Sequence, residues 1–305
     1  MMEMNTVQQI PYVQRWWMAI RPRTLPAAGS PVMIGWAIAW ANASFAWLPA
    51  LVILVCALLL QILANLVNDV ADYQKGTDKS GRLGPTRVTQ SGLLKVREVW
   101  AGAIVVALLA AVGGIYLFLY RGWPVLVMGG VAILFAVLYT VGPFSLEDYG
   151  FGDLAALIFF GFVTVCGTTY ILLGNLVPLA WMGGLGAGAL VTDILVVNNV
   201  RDIESDTRAG RKNIPVRWGR RAAEIEYLFM MILAYAACVI PFLAGWAGWS
   251  ILLPLVTIPR AVQLVKRIRT LPASPLFNKL LADTAQLVLF YCLLFSLGVV
   301  LDKIF

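Results

Sequence analysis

About nine stretches of uninterrupted apolar sequence run through this chain, at roughly 24–42, 47–69, 99–119, 123–143, 152–173, 177–199, 222–245, 247–265 and 285–304. Each approaches the ~20 residues that a helix needs to cross the hydrocarbon core of a bilayer. Inside lipid a backbone must satisfy its own hydrogen bonds, which leaves α-helices and closed barrels. The runs do not alternate apolar with polar residues, so the barrel is excluded and the spans are predicted to be helices. Only 13% of the residues are charged, about half the share of an average soluble domain. No stretch is polar enough to fold in water alone, so residues 1–305 are expected to form a single transmembrane domain. Trp16 and Trp17, beside Arg15 and Arg21, mark residues 1–23 as an interfacial segment rather than a signal peptide.

The net charge of +7 sits in the segments between spans, so membrane topology explains it before nucleic acid does, and no nucleic-acid partner is expected. Arg15, Arg21 and Arg23 precede the first span. The 70–98 loop carries Lys75, Lys79, Arg82, Arg87, Lys95 and Arg97. The 200–221 loop carries Arg201, Arg208, Arg211, Lys212, Arg217, Arg220 and Arg221. The 266–284 loop carries Lys266, Arg267, Arg269 and Lys279. With nine spans all of these fall on one side, and only Arg121 and Lys303 fall on the other. The asymmetry places the N-terminus and the large loops in the cytoplasm.

The chain has no histidine. That excludes Ser–His–Asp and Cys–His nucleophilic systems, His-ligated metals and haem. Cys56, Cys166, Cys238 and Cys292 each stand alone in an apolar run and read as buried thiols rather than ligands.

What remains for chemistry is oxygen. At the end of the second span, Gln61, Asn65 and Asp69 recur every four residues, as do Asn68 and Asp72. On a helix they make one polar stripe leading to the charged side. At the end of the sixth span, Asn198, Asp202 and Asp206 repeat the spacing, with Asn199 beside them. Asn68, Val70 and Asp72 superpose on Asn198, Val200 and Asp202, which suggests two related halves. A carboxylate in a spanning helix is costly and points to function. Two acidic clusters at one depth repel each other unless a cation lies between them. Oxygen ligands without His or Cys suit Mg²⁺, which binds through a few carboxylates plus substrate phosphates. Neighbouring Lys and Arg would hold further phosphate oxygens. Together these parts describe a diphosphate site at the membrane boundary.

The motifs NDVADYQKGTD (68–78) and NNVRDIESD (198–206) resemble the two aspartate-rich motifs of the UbiA superfamily of intramembrane prenyltransferases. RPRTLP (21–26), RLGPTRVTQSG (82–92), YTVGP (139–143), Gly152-Asp153 and the continuation TRAGRKN (207–213) are similar to the branch that acts on 1,4-dihydroxy-2-naphthoate. In the first motif Gly76 stands where the superfamily often has a third Asp, and Asp78 follows two residues later. The resemblance covers nearly the whole chain. It implies an all-α polytopic membrane protein with helices around a central cavity, in a bacterial plasma membrane or a thylakoid. The implied reaction is alkylation of an aromatic acid by a polyprenyl diphosphate, with Mg²⁺ as cofactor.

By the same resemblance, Asp69, Asp72, Asp202 and Asp206 are the catalytic carboxylates, and with Asn65 and Asn198 they hold the metal. Lys75, Asp78, Arg82, Arg87, Arg208 and Lys212 bind diphosphate. Arg21, Tyr139, Asp153 and Asn199 face the aromatic acceptor. Asp193, inside the sixth span, is expected either at the site or paired with a neighbouring helix. The acceptor is expected to be dihydroxynaphthoate, with 4-hydroxybenzoate and homogentisate as alternatives. A secondary transporter would want broken helices near the midplane, whereas these stripes lie at span ends.

The charge pattern predicts that labels at Ser80 and Ala209 report the same, cytoplasmic face. Cysteine labelling of intact cells that finds them on opposite faces would overturn the span count.

Overall fold

The computed structural model describes residues 10–76, 83–142, 145–272 and 274–305. Helix α1 (Tyr12–Ile20) ends at Arg21, whose φ of 54° turns the chain through one 3-10 turn, Pro22–Thr24, into α2 (Leu25–Ala41). Then follow α3 (Trp47–Lys75), α4 (Val96–Arg121), α5 (Trp123–Leu138) and the single turn α6 (Leu146–Tyr149). The second half contains α7 (Gly152–Leu173), α8 (Pro178–Arg201), the short α9 (Ile203–Ala209) and α10 (Ile214–Trp218), and α11 (Arg220–Leu243). A 3-10 stretch, Trp249–Thr257, leads into α12 (Ile258–Thr270), and α13 (Leu276–Ile304) closes the chain. No strand occurs among the described residues.

Among those residues, six helices are long and apolar enough to cross a bilayer: α3, α4, α7, α8, α11 and α13. The other three expected spans are shorter or broken. Helix α2 has 17 residues and α5 has 16. The 247–265 run is 3-10 around Pro254 before α12 begins, because proline lacks the amide that an α-helical bond would use.

The segments expected as loops are partly helical. Helix α3 continues to Lys75 and ends on Gly76 at φ 65°, the left-handed turn that suits glycine. The 200–221 segment contains α9 and α10. The 266–284 loop is mostly the end of α12 and the first turns of α13, which starts at Leu276 rather than near 285.

Helix α8 is the central post. In its most apolar window 72% of residues are buried, against 17% in α4. Glycine makes that position possible. A Cβ on Gly161 would lie 2.4 Å from the Gly184 carbonyl oxygen, and one on Gly188 would lie 2.6 Å from the Leu157 oxygen. Helices α7 and α8 therefore meet backbone to backbone, as small residues four apart allow in membranes. The α7 side of this crossing is a π-helical stretch, Leu157–Val163.

Arg121 lies at the opposite end from the aspartate motifs. Its guanidinium donates to the Ile171 and Leu172 carbonyl oxygens at 2.6 and 2.7 Å, so it caps α7 and anchors the α4–α5 corner at Gly122. Asp302 accepts from the Gly248 amide at 2.7 Å, tying α13 to the 3-10 segment.

Gly188→Ala is expected to lower stability by about 1–3 kcal/mol through overpacking, and Gly188→Leu by more. Thermal unfolding of purified protein in detergent measures this. A Gly188→Leu variant as stable as wild type would mean that the α7–α8 approach is not obligatory.

Candidate active site

The stripe on α3 does two jobs. Its first part holds the α1–α2 corner. The Asn65 amide donates to the Ile20 carbonyl oxygen and the Thr24 hydroxyl, both at 2.9 Å, and Gln61 donates to Asn65 Oδ1 at 3.3 Å. Its second part faces charge. Asp69 accepts from the Val88 and Thr89 amides at 3.2 and 3.0 Å, which folds the following segment back onto the helix end, and the Arg21 guanidinium lies 3.7 Å away. Asp72, only 1% exposed, pairs with Arg87 at 2.5 Å and Arg211 at 2.7 Å.

Arg211 brings the halves together. Besides Asp72 it pairs with Asp206 at 3.1 Å, Glu147 at 2.9 Å and Asp148 at 3.6 Å. Asp206 also accepts from the Asn213 amide at 2.7 Å, and Asn213 Oδ1 caps α10 by accepting from the Val216 amide. The α6 turn is a strap across both motifs. Asp148 is paired with Lys75, Ser145 donates to Asp148 at 2.5 Å, and the Lys212 amide donates to the Asp148 carbonyl oxygen at 2.9 Å.

Glu147 and Asp148 are absent from the reading of the sequence. Two adjacent acids between YTVGP and Gly152-Asp153 were the available signal. Membrane topology follows Lys and Arg and is nearly blind to acids, so it carries no signal from this pair.

Among the described residues Asp202 pairs with Arg201 rather than with Arg211, though it lies near enough to Asp206 to help raise that carboxyl. Helix α8 ends at Arg201 and α9 starts at Ile203, so Asp202 has φ −98° and ψ 12° between two helices. The i, i+4 alignment with Asp206 assumes one continuous helix, and the break re-aims the side chain. Arg201 grips Asp202 with two bonds, at 2.9 and 2.6 Å, and also donates to Asn278 on α13.

Arg208 is exposed and bonded only weakly to the Glu204 carbonyl oxygen at 3.3 Å, away from the cluster. Lys212 lies over the Tyr149 ring at 4.6 Å. Asp78 and Arg82 lie outside the described residues.

Below the cluster is a cavity of about 630 Å³, lined almost wholly by apolar side chains from α2, α3, α4, α5, α7 and α8. Its polar rim is Arg21, Arg23, Asn65, Asn68, Asn198 and Tyr139. Phe135 stacks on Phe159 with ring centroids 3.6 Å apart, and Tyr139 is 5.9 Å from Phe135, so an aromatic wall stands just inside the rim. Tyr139 packs on Gly152, where a Cβ would come within 2.9 Å of the phenol oxygen.

Asp153 and Asn199 do not line this cavity. They bond to each other at 3.3 Å, between α7 and α8. Asp193 is fully buried away from it, with no hydrogen-bond partner for either oxygen.

Among the described residues no three acidic side chains converge closely enough to hold a metal unaided. Asp72 and Asp206 face each other across one guanidinium. That arrangement fits a hard cation taking one or two carboxylates and completed by phosphate oxygens.

Residues 28–276 match the model of the UbiA prenyltransferase family. The chain belongs to the UbiA prenyltransferase family. It is 34% identical to a 1,4-dihydroxy-2-naphthoate octaprenyltransferase of Escherichia coli (strain K12), over 98% of this chain and 99% of that one. It is 35% identical to the protein of the same name from Mycobacterium tuberculosis, over 92% and 94%. A solved UbiA homolog from Archaeoglobus fulgidus bound to DMAPP and Mg²⁺ shares the fold, with a TM-score of 0.60 and 15% identity, covering 92% of this chain and 99% of that one. This UbiA chain is thus an integral-membrane prenyltransferase.

Burial sets the charge state of the UbiA cluster. It raises Asp206 from 3.8 to about 6 and Glu147 from 4.5 to about 7, in both cases against the opposing pull of Arg211. Burial also acts to raise Asp148, but hydrogen bonds from Lys75 and Ser145 outweigh it and the carboxyl lies below its ordinary value.

A raised carboxyl pKa means that the folded state holds its proton more tightly. The stability tied to protonated Glu147 is complete below pH 4.5 and is lost as pH rises through about 7. Glu147→Gln stays neutral, so its stability relative to wild type should rise between pH 5 and pH 8. Melting curves at the two pH values measure this, and a pH-independent difference would contradict it.

Proposed function

We propose that this chain transfers a polyprenyl group from a polyprenyl diphosphate to 1,4-dihydroxy-2-naphthoate, with Mg²⁺ as cofactor, releasing diphosphate and carbon dioxide. The observation that carries this reading is one apolar, aromatic-walled cavity whose polar rim ends at two facing aspartate motifs. Identity over nearly the full length with relatives named for that reaction supports the choice of acceptor.

Asp72 and Asp206, with Asp69 and Asp202 beside them, would hold the metal. When bound, it supplies positive charge to the diphosphate oxygens. Lys75, Arg87 and Arg211 are positioned to take up the negative charge that develops on the leaving oxygen as the allylic C–O bond breaks. They can do so by exchanging carboxylate partners for phosphate oxygens. Phe135, Phe159 and Tyr139 offer ring faces to the allylic cation. The apolar lining keeps water from it.

The naphthalene ring carbon bearing the carboxylate attacks the cation and forms the new C–C bond. The bond to the carboxylate then breaks, its electron pair restores the aromatic ring, and CO₂ leaves. The product is the prenylated naphthoquinol, the reduced form of a demethylmenaquinone. No strong general base is needed, in keeping with a chain that has no histidine. Arg21 and Arg23 at the rim are placed to meet the acceptor's carboxylate.

Residues 1–305 would act as one prenyltransferase domain in a bacterial plasma membrane. The aspartate end would face the cytoplasm, where both water-soluble head groups are available.

Membranes containing the protein, given dihydroxynaphthoate, a polyprenyl diphosphate and Mg²⁺, should yield the prenylated quinol by mass spectrometry, and EDTA should abolish it until Mg²⁺ is restored. Asp72→Asn and Asp202→Asn should each cut turnover by about a hundredfold or more with the inserted amount unchanged. Product with 4-hydroxybenzoate alone would reassign the acceptor. Full turnover in EDTA would reject the metal.

A further inference from the structure

The polar stripe on α3 begins about two turns before the aspartates, with a residue that the proposed chemistry leaves unused. Gln61 lines the cavity. Its side-chain amide belongs to a small network at the α1–α2 corner, and the partners in that network fix one another. Thr24 donates its hydroxyl proton to the Arg21 carbonyl oxygen at 2.9 Å. The Asn65 amide donates to the Ile20 carbonyl oxygen and to Thr24 Oγ1, both at 2.9 Å. A carbonyl only accepts, so Ile20 fixes which end of Asn65 is nitrogen and turns Asn65 Oδ1 toward Gln61. Gln61 must therefore present its own nitrogen, which donates to Asn65 Oδ1 and Thr24 Oγ1, both at 3.3 Å.

One group is left over. Among the described residues Gln61 Oε1 has no partner, and the packing around it admits no water. Burying an amide oxygen unpaired is unfavourable. Both bonds on the nitrogen are long, and the last torsion of a glutamine is soft, so a small turn brings the oxygen to the cavity surface. Asn68 carries a second such oxygen on the cavity wall, but it adjoins Asp69 in the first aspartate motif.

An idle acceptor atom calls for a ligand that brings a donor. A prenyl tail has none, and a diphosphate at neutral pH accepts. The aromatic acid is the substrate with hydroxyl groups. In dihydroxynaphthoate the 1-hydroxyl lies ortho to the carboxylate and bonds to it internally, which leaves the 4-hydroxyl in need of a partner. Gln61 stands eight residues before Asp69, so it lies roughly 12 Å deeper along α3. That separation leaves room for the allylic carbon and the ring between the diphosphate and the amide. Arg23, next to Thr24 in the chain, lines the same cavity.

We propose that Gln61 Oε1 accepts from the 4-hydroxyl of the aromatic acid while Arg23 holds its carboxylate, so that Gln61 selects which acid is prenylated. This rests on the reaction proposed above. A ring without that hydroxyl is disfavoured, because the oxygen then stays buried and unpaired.

The test uses 1-hydroxy-2-naphthoate, which keeps the carboxylate and the 1-hydroxyl and lacks only the 4-hydroxyl. In the wild-type protein its Ki should exceed the KM of dihydroxynaphthoate at least about tenfold. Gln61→Leu should raise that KM at least about tenfold, and should leave the Ki of 1-hydroxy-2-naphthoate and the KM of polyprenyl diphosphate within about twofold. Equal affinity of the wild-type protein for the two acids overturns the proposal, and this comparison needs no variant that has to fold. An equal loss for both acids in Gln61→Leu also overturns it, since Gln61 would then only brace the corner. A wild-type protein that gives no product from dihydroxynaphthoate rejects the reaction itself.

Discussion

The guanidinium of Arg211 is the joint at which the two halves of this molecule meet. It reaches Asp72 at the end of α3, Asp206 on α9 and Glu147 on the strap between α5 and α7. Only arginine offers five donors in a fixed plane with a charge that does not titrate. Breaking a buried pair of this kind by removing one partner costs about 3–5 kcal/mol, because a charge is left stranded. The burial that raises Glu147 and Asp206 shows the same cost from the acid side. The cluster is therefore held together by mutual need rather than by surplus attraction, and such a cluster can exchange partners. Phosphate oxygens can replace carboxylates on Arg211, Arg87 and Lys75, while a divalent cation can replace the arginines on the carboxylates. Under the proposed reaction the resting ion pairs are a stand-in for the substrate's charges.

The helical spans were legible because lipid imposes a length and a composition on them. The α4, α7, α8 and α11 boundaries fall within a few residues of those expected from the apolar runs. The failures occur where apolarity stops reporting on the backbone. Leu276–Ala282 is helical although Lys279 lies within it, because α13 emerges from the apolar layer and keeps its hydrogen bonds. Trp249–Thr257 is as apolar as a span but is wound as 3-10, because Pro254 removes a donor that hydropathy does not see.

The site was legible in its residue types and less so in its connections. Asp69 and Asp72 are buried at the end of α3, where the four-residue stripe puts them. Asp202 and Asp206 diverge because one residue between α8 and α9 leaves helical geometry, and periodicity cannot signal its own interruption. Asn65 is committed to the α1–α2 corner, a tertiary contact with no local trace. Glu147 and Asp148 are hard to read for a different reason. Topology is read from Lys and Arg, so acids on the same face carry no weight in that count. In the folded chain those acids neutralise the cations from which the topology was inferred.

Glycine shows most sharply what a sequence leaves open. Gly161, Gly184 and Gly188 are spaced for close helix contact, and facing backbone fills the place of the missing Cβ at Gly161 and Gly188 while the Phe162 ring and backbone crowd it at Gly184. Gly129 and Gly130 sit in an equally apolar helix and read no differently, yet nothing fills their space. The first set exchanges side-chain volume for contact between helices and gains packing in return. The second set exchanges it for emptiness, losing van der Waals contact that a larger residue would supply and paying backbone entropy as well. A helix that accepts both losses on one side of a cavity is weaker than it could be. That sacrifice is rational if the space belongs to something the chain binds, and an isoprenoid tail is the ligand whose shape and polarity match it.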